Sequence, residues 1–289
     1  EDLIFGNRNG PLYYFDTSAG ITTTRGVLLS SRTGASQVPS VQNVMLVSDI
    51  NRFVFCFGTN PIGSSTKDPM LIRWSDQESA VEWNPSATNQ AGSLRLSRGT
   101  EIVSAMQARQ EVLVWTDSSL YSLQYVGINS GVWGAQIVGE TISIASKNTV
   151  AMGNGIAYWM GKDKDRYVIY NYTENIWYYG NMARSAWLDS GLRDFPLAAT
   201  YNNVLVDHER GIDDNETGTT AAISAFISSA DFDLDDGDKF VFVRRMVPDV
   251  SFDGSTDSSP AVTLTLSPAS FPGSGLNSPL SESGESAGT

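Results

Sequence analysis

Glu111-Val112-Leu113-Val114-Trp115-Thr116-Asp117 runs directly into Ser118-Ser119-Leu120-Tyr121-Ser122-Leu123-Gln124-Tyr125-Val126. The order is apolar strand, polar turn, alternating strand, which predicts a β-hairpin. Asp117-Ser118-Ser119 supplies the turn, because Asp and Ser side chains bond nearby backbone. The same phrase recurs as Gly155-Ile156-Ala157-Tyr158-Trp159-Met160-Gly161 followed by Arg166-Tyr167-Val168-Ile169-Tyr170-Asn171-Tyr172. A looser copy precedes both: Arg52 to Phe57, a long polar insert, then Met70-Leu71-Ile72-Arg73-Trp74. Trp115 and Trp159 stand 44 residues apart, and several strands per unit at about 40–50 residues is the period of propeller blades.

Working outward, Tyr167 to Trp177 and Leu71 to Trp83 share a second pattern: an alternating strand, a polar turn and a returning Trp. Trp74, Trp83, Trp115, Trp159 and Trp177 are therefore read as blade markers, with Trp83 and Trp177 packing between blades as in kelch-type units. Val44–Val47 and Arg52–Phe57 form a predicted hairpin around Ser48–Asn51. Leu12–Phe15, a Thr-rich strand pair over Ile21–Ser31, Gly92–Ser97 and Glu101–Met106 add short strands. Ala198–Val206 folds back around Asn202-Asn203. No helical periodicity of useful length occurs before residue 180; Arg184 to Leu192 is read as one or two helical turns.

The composition bounds what this framework can be. Hydrophobic residues make up 41% of 289, enough to bury a sizeable core. No apolar run approaches the roughly 18 residues of a membrane span, and no secretory signal pattern opens the chain. The start at Glu1, without Met, reads as a fragment or a processed product. The single cysteine, Cys56, rules out an internal disulfide framework and sits in an apolar strand, so it reads as a buried inert thiol.

Charge is unevenly spread. Residues 201–289 carry 15 Asp/Glu against 4 Lys/Arg, while residues 1–200 carry 17 against 15. A protein that grips nucleic acid normally carries the opposite sign. Four segments follow: N-terminal strands (1–40), a propeller-like β domain (41–218), an acidic C-terminal β segment (219–266) and a Ser/Gly/Pro-rich tail (267–289). In the acidic segment, Asp231-Phe232-Asp233-Leu234-Asp235 alternates into the turn Asp236-Gly237-Asp238, and Lys239–Arg245 reads as the return strand.

Chemical motifs are sparse. Asp231, Asp233 and Asp235 fall at positions 1, 3 and 5 of a calcium loop. Asp236 then stands where Gly is required, and Phe242 where the bidentate Glu belongs. An acidic solvent face is the better account. His208-Glu209 with Asp213-Asp214 resembles a metal or acid/base cluster, but His208 is the sole histidine and no HExxH occurs. Serine-hydrolase and phosphate-loop motifs are absent. No two carboxylates pair in sequence as a glycosidase would need. The expectation is no catalytic residue, no metal and no cofactor.

Met70–Asp76, Trp83–Gly92, Leu94-Arg95-Leu96 and Val112–Tyr121 come in a distinctive order. They are followed by Gly155–Met160, Asp165–Val168, Asn171-Tyr172 with Trp177, and Asp207-His208-Glu209 with Asp213-Asp214. Over roughly residues 40 to 266 this order resembles the tail nozzle proteins of short-tailed bacteriophages, also called packaged-DNA stabilisation or tail accessory proteins. One departure stands out. The family runs through another strand set after the equivalent of Met160–Asp163, whereas here Lys164-Asp165-Arg166 follows at once, which predicts an incomplete blade at that point.

The resemblance implies a virion protein without enzymatic activity. It would form a homo-oligomeric ring, typically a hexamer, at the distal end of the tail tube below portal and adaptor proteins, with fibres or spikes attached nearby. The ring would hold packaged DNA and release it through its channel. Double-stranded DNA would pass without specific binding, since an acidic wall does not hold a duplex. Asp231, Asp233, Asp235, Asp236 and Asp238 are the first candidates for the channel face. The alternatives are a propeller that binds or cleaves host surface glycans, and a cellular propeller scaffold.

Overall fold

The computed structural model describes residues 2–285 apart from 21, 23, 50, 154, 164–165, 189–193, 209, 212, 216, 224, 230–241, 246–248, 254–257 and 272–273. The chain divides into two compact units, Glu1–Ala222 and Ile223–Thr289. Among the described residues, regular structure is almost wholly antiparallel β, interrupted by three single turns of 3-10 helix.

Unit one opens with a three-stranded sheet of β1 (Leu3–Phe5), β2 (Tyr13–Phe15) and β3 (Val27–Leu28). Three four-stranded meanders follow. Sheet I is β4 (Val44–Val47), β5 (Val54–Phe57), β6 (Leu71–Trp74) and β7 (Gly92–Arg95). Sheet II is β8 (Ile102–Gln107), β9 (Glu111–Thr116), β10 (Ser119–Gly127) and β11 (Val132–Glu140). Sheet III is β12 (Val150–Gly153), β13 (Ile156–Met160), β14 (Arg166–Asn171) and β15 (Ile176–Asn181). In each meander every strand pairs with the one before it. Sheet III has four strands, with Met160 of β13 opposite Tyr167 of β14.

The sheets stack face to face, and alternation within strands shows how. On β5, Val54 and Cys56 join Leu12, Leu29 and Trp83 in a core against the N-terminal sheet. Phe53, Phe55 and Phe57, on the other side of the same segment, join Val112, Val114, Tyr121, Leu123 and Trp133 of sheet II. On β9, Leu113 and Trp115 turn away from that layer and pack with Ala157, Trp159, Val168 and Tyr170 of sheet III. Successive side chains on a strand point to opposite faces, so a central sheet covered on both sides buries every position, with apolar residues or with polar ones whose hydrogen bonds are met. This is why Val54–Phe57, Leu71–Trp74 and Val112–Thr116 read as unbroken buried runs. Each fully buried large aliphatic or Phe side chain stabilises the stack by about 1.5–3 kcal/mol.

The first strands of sheets I and II, β4 and β8, lie in contact. Asn43 Nδ2, at the entry to β4, donates to Ile102 O at 3.3 Å. The loop Arg98-Gly99-Thr100 therefore crosses from one sheet to the next rather than closing a hairpin. Asp117 fastens it, accepting from Thr100 N and Thr100 Oγ1, both at 2.7 Å. Burial acts to raise the Asp117 pKa, but bonds from Thr100 and Glu101 outweigh it and hold the carboxyl below its usual range. The β9–β10 turn is closed chiefly by Thr116, whose Oγ1 accepts from Ser118 N and Ser119 N. Gly99 sits at φ +107 with Thr116 Oγ1 only 2.6 Å from where a Cβ would stand, so glycine is required there.

Beyond sheet III, β16 (Arg184–Leu188), β17 (Leu197–Thr200) and β18 (Leu205–Asp207) form a three-stranded sheet. Of the helical turns expected over Arg184 to Leu192, the described part, Arg184–Leu188, is instead a strand, because it pairs with Thr200 to Leu197 and that ladder satisfies its backbone; 189–192 lie outside the described residues. The Ala198–Val206 hairpin is present, with Asn203 at φ 62 in its turn. β19 (Asp213–Asp214) and β20 (Ala221–Ala222) pair as a short ribbon. Near the start, among the described residues of the expected strand pair over Ile21–Ser31, Val27–Leu28 forms β3 and Leu29–Ser31 forms a 3-10 turn with Leu29 buried.

In unit two, β21 (Ala261–Leu266) pairs with β22 (Leu280–Glu285). The Ser/Gly/Pro tail thus contains a strand, its ladder running from Leu266 opposite Leu280 to Ala261 opposite Glu285. Of the expected return strand Lys239–Arg245, residues 242–245 are described and are not strand.

Candidate functional site

The five candidate channel acids, Asp231, Asp233, Asp235, Asp236 and Asp238, lie outside the described residues. The five tryptophan markers are all described. Trp74, on β6, packs on Phe55 and donates Nε1 to Gln90 O at 2.8 Å. Trp83 is fully buried between sheet I and the N-terminal sheet. Trp177, on β15, stacks on Tyr170 with centroids 4.2 Å apart and meets Trp159 edge-on at 6.0 Å. Trp83 and Trp177 share a role: each packs on the face its sheet turns to the preceding sheet.

Trp115 and Trp159 both lie on the second strand of their meanders, and they touch edge-to-face at 5.5 Å. They belong to the facing sides of one interface. The position on β9 that matches Trp159, facing the preceding sheet, is Val114. The 44-residue spacing therefore joins partners across an interface, and like positions are one residue further apart.

The same interface opens into a groove of about 1060 Å³ between sheets II and III. The face of sheet II changes character along its strands to make it. On β9 the inward positions run Trp115, Leu113, Glu111; on β10 they run Leu120, Ser122, Gln124; on β11, Val138 gives way to Gln136. The first members of each row fill the dry core, and the last members line the groove. The opposite face of β9 and β10 stays apolar through Val112, Val114, Tyr121 and Leu123.

The polar wall is internally bonded. Ser122, buried, donates Oγ to Glu111 Oε2. Gln124 Nε2 donates to the same carboxylate oxygen at 3.2 Å and to Ser122 Oγ at 3.1 Å. Gln107 Nε2 pins the β8–β9 turn through Ala108 O at 2.7 Å and Glu111 O at 3.2 Å. The far wall comes from the β14–β15 turn. There Asn171 Oδ1 accepts from Thr173 N and Glu174 N, both at 3.1 Å, and Asn175 adopts φ 57. Gly155, at φ +85, lets Thr173 approach to where a Cβ would meet its Oγ1 at 2.3 Å. Tyr170 donates its hydroxyl to Asn175 Oδ1 at 3.1 Å. Burial pushes the Tyr170 phenol above its ordinary pKa, and the nearby Glu111 carboxylate adds to that.

Among the described lining residues Glu111 is the one carboxylate and Arg109 the one cation. Glycoside hydrolysis by a carboxylate pair would need a second acid. Elsewhere, His208 Nε2 accepts from Arg184 Nε at 2.9 Å, and no group of three or more His, Cys, Asp or Glu among the described residues could hold a metal ion. Cys56 is buried, and burial drives its thiol pKa strongly upward. Among the described residues no helix is long and apolar enough to cross a membrane.

Sequence reading missed two features. One is Arg73, 1% exposed, whose guanidinium bonds Gln37 O, Asn60 O and Trp83 O at 2.5, 3.2 and 3.4 Å. The other is the groove; its signal was polar residues at strand positions whose in-register neighbours are core. In comparisons with known proteins, no family model and no curated protein matches this chain.

Proposed function

We propose that the chain is a structural component of a phage tail, building the distal nozzle ring that retains packaged DNA and lets it out during infection. The observation that supports this reading best is the run of three complete four-stranded meanders, stacked face to face, over the same residues that carry the sequence resemblance. Such meanders are the units of a propeller. A propeller-like body is suited to ring assembly, because its rigid stacked sheets hold fixed angles between neighbouring subunits.

Two further features favour it. The outward face of sheet III carries Tyr158, Ile176 and Tyr178, 42%, 42% and 50% exposed, where sheets I and II are covered on both sides. An apolar face of this kind is stabilised by a further sheet or a neighbouring subunit. The chain's net charge of −13, concentrated after residue 200, suits a wall past which a duplex slides without forming salt-dependent contacts. The acids at 231, 233, 235, 236 and 238 are the proposed channel face, with portal or adaptor proteins above the ring and fibres or spikes beside it.

The test is native mass spectrometry with a duplex-retention assay on the assembled species. The expected result is one closed oligomer, near six subunits, that does not retain linear duplex at low salt. Replacing the five acids by Asn should then make duplex retention measurable. A chain that stays monomeric at every concentration, or an oligomer whose duplex affinity is tight before substitution, contradicts the proposal.

A further inference from the structure

We propose that the groove between sheets II and III is a binding site for a neutral oligosaccharide. The inference stands apart from ring formation, since every residue it uses lies within one chain.

The argument begins with what the interface would be without a ligand to serve. The layer between sheets I and II is apolar where β9 and β10 carry Val112, Val114, Tyr121 and Leu123. The layer between sheets II and III is apolar only at the Trp115 end. At the other end, Glu111, Ser122, Gln124 and Gln136 occupy positions that strand alternation aims at sheet III. Gln124 and Gln136 are exposed, but at buried Ser122 and half-buried Glu111 stability alone favours apolar residues. The polar side chains are held in place by one another, with Ser122 buried beneath Glu111 and Gln124.

The chemistry of the lining selects the ligand. The primary amides of Gln110 and Gln136 each offer both donors and acceptors, while Gln124, its Nε2 spent on Glu111 and Ser122, offers its Oε1, and Asn175, its Oδ1 accepting from Tyr170, offers its Nδ2. Sugar hydroxyls also do both, so such amides match a polyol better than they match an ion. Tyr172, at the facing lip, supplies aromatic surface for the C–H face of a pyranose ring. Arg109 and Glu111 balance in charge. A phosphate or nucleic acid would meet Glu111 with one cation to offset it, where such ligands are normally met by several. At about 1060 Å³ the groove is at the upper end of small-ligand sites, which favours several sugar units over one. With a single lining carboxylate among the described residues, the site would hold its glycan without cleaving it.

The purified chain is screened on an array carrying neutral and sialylated oligosaccharides beside unstructured peptides. The best array ligand is then titrated by calorimetry and by saturation-transfer NMR. The expected result is a neutral oligosaccharide bound with a Kd on the order of 0.1–1 mM and chemically unchanged after incubation. Gln124→Ala, at an exposed position, and Tyr172→Ala, at a half-buried one, should each weaken it tenfold or more while leaving the far-ultraviolet circular dichroism unchanged. Gln136→Ala is a second, independent variant on the exposed wall and should also weaken binding. Silence of every neutral sugar on the array overturns the proposal. So does preference for a sialylated ligand or a peptide, or binding that all three substitutions leave intact.

Discussion

Replacing Trp115 by alanine tests the stacked-sheet account at its centre. Trp115 is fully buried and packs edge-to-face on Trp159 across the sheet II–sheet III interface. Removing a buried Trp costs about 3–5 kcal/mol when the cavity cannot collapse, and two facing sheets cannot close over half a ring system. For a unit of this size that is a fall in Tm of about 6–20 °C. Trp115→Phe should behave differently. The indole Nε1 of Trp115 finds no acceptor among the described residues, and a buried unmade bond costs about 1–3 kcal/mol. Phe loses part of the ring but also sheds that penalty, so its net cost should be about 1 kcal/mol. Trp159→Phe has no such relief, since Trp159 Nε1 donates to Ser143 O at 3.2 Å. A double-mutant cycle between Trp115 and Trp159 should return a coupling of about 0.5–1.5 kcal/mol. The assay is urea unfolding followed by far-ultraviolet circular dichroism and tryptophan fluorescence. A Trp115→Ala cost below about 1 kcal/mol, or a Phe variant as unstable as the Ala variant, refutes the reasoning.

Other consequences are as direct. Arg73→Ala strands two buried carbonyls and a part-buried one and should destabilise unit one by about 3 kcal/mol; Arg73→Lys should recover only part, because a single ammonium cannot reproduce the fork that reaches all three, and chemical denaturation measures both. Gly99→Ala, at φ +107 against Thr116, should cost about 1–3 kcal/mol by the same assay. Asp117 has a depressed folded-state pKa, so its contribution is complete above the ordinary carboxyl value of 3.8. It is lost as pH falls from there through the lower folded value. Asp117→Asn should therefore flatten the acid side of a stability–pH profile and leave the neutral side lower than wild type.

Much of the fold was legible because sheets I to III depend on hydrophobic alternation and on turn residues, both local properties. Val44–Phe57, Glu111–Gly127 and Ile156–Asn171 each fold as the hairpin their pattern predicts. What sequence could not supply was the face on which each residue lands. Trp115 and Trp159 read as repeats of one position, yet a single step along a strand reverses the side chain, and the two are partners. Arg184–Leu188 has no strong alternation of its own; its strand is fixed by pairing with Leu197–Thr200, a non-local cause. The strand at 280–285 is likewise fixed by its partner Ala261–Leu266 against a composition that favours irregular chain. Arg73 stands in an apolar strand, and its burial follows from the backbone carbonyls of Gln37, Asn60 and Trp83 that converge on it, a non-local arrangement. The groove escaped notice because its residues are ordinary singly and become a site only when β9, β10 and β11 set them in register.

The proposal that the chain builds a nozzle is tested most directly by single-particle electron microscopy of the assembled protein. The account predicts a closed rotationally symmetric ring, near six-fold, whose axial bore admits duplex DNA and is lined by carboxylates from the acidic segment around Asp231–Asp238. Particles with no bore, or a ring whose acidic segment lies on the outer wall, would contradict it.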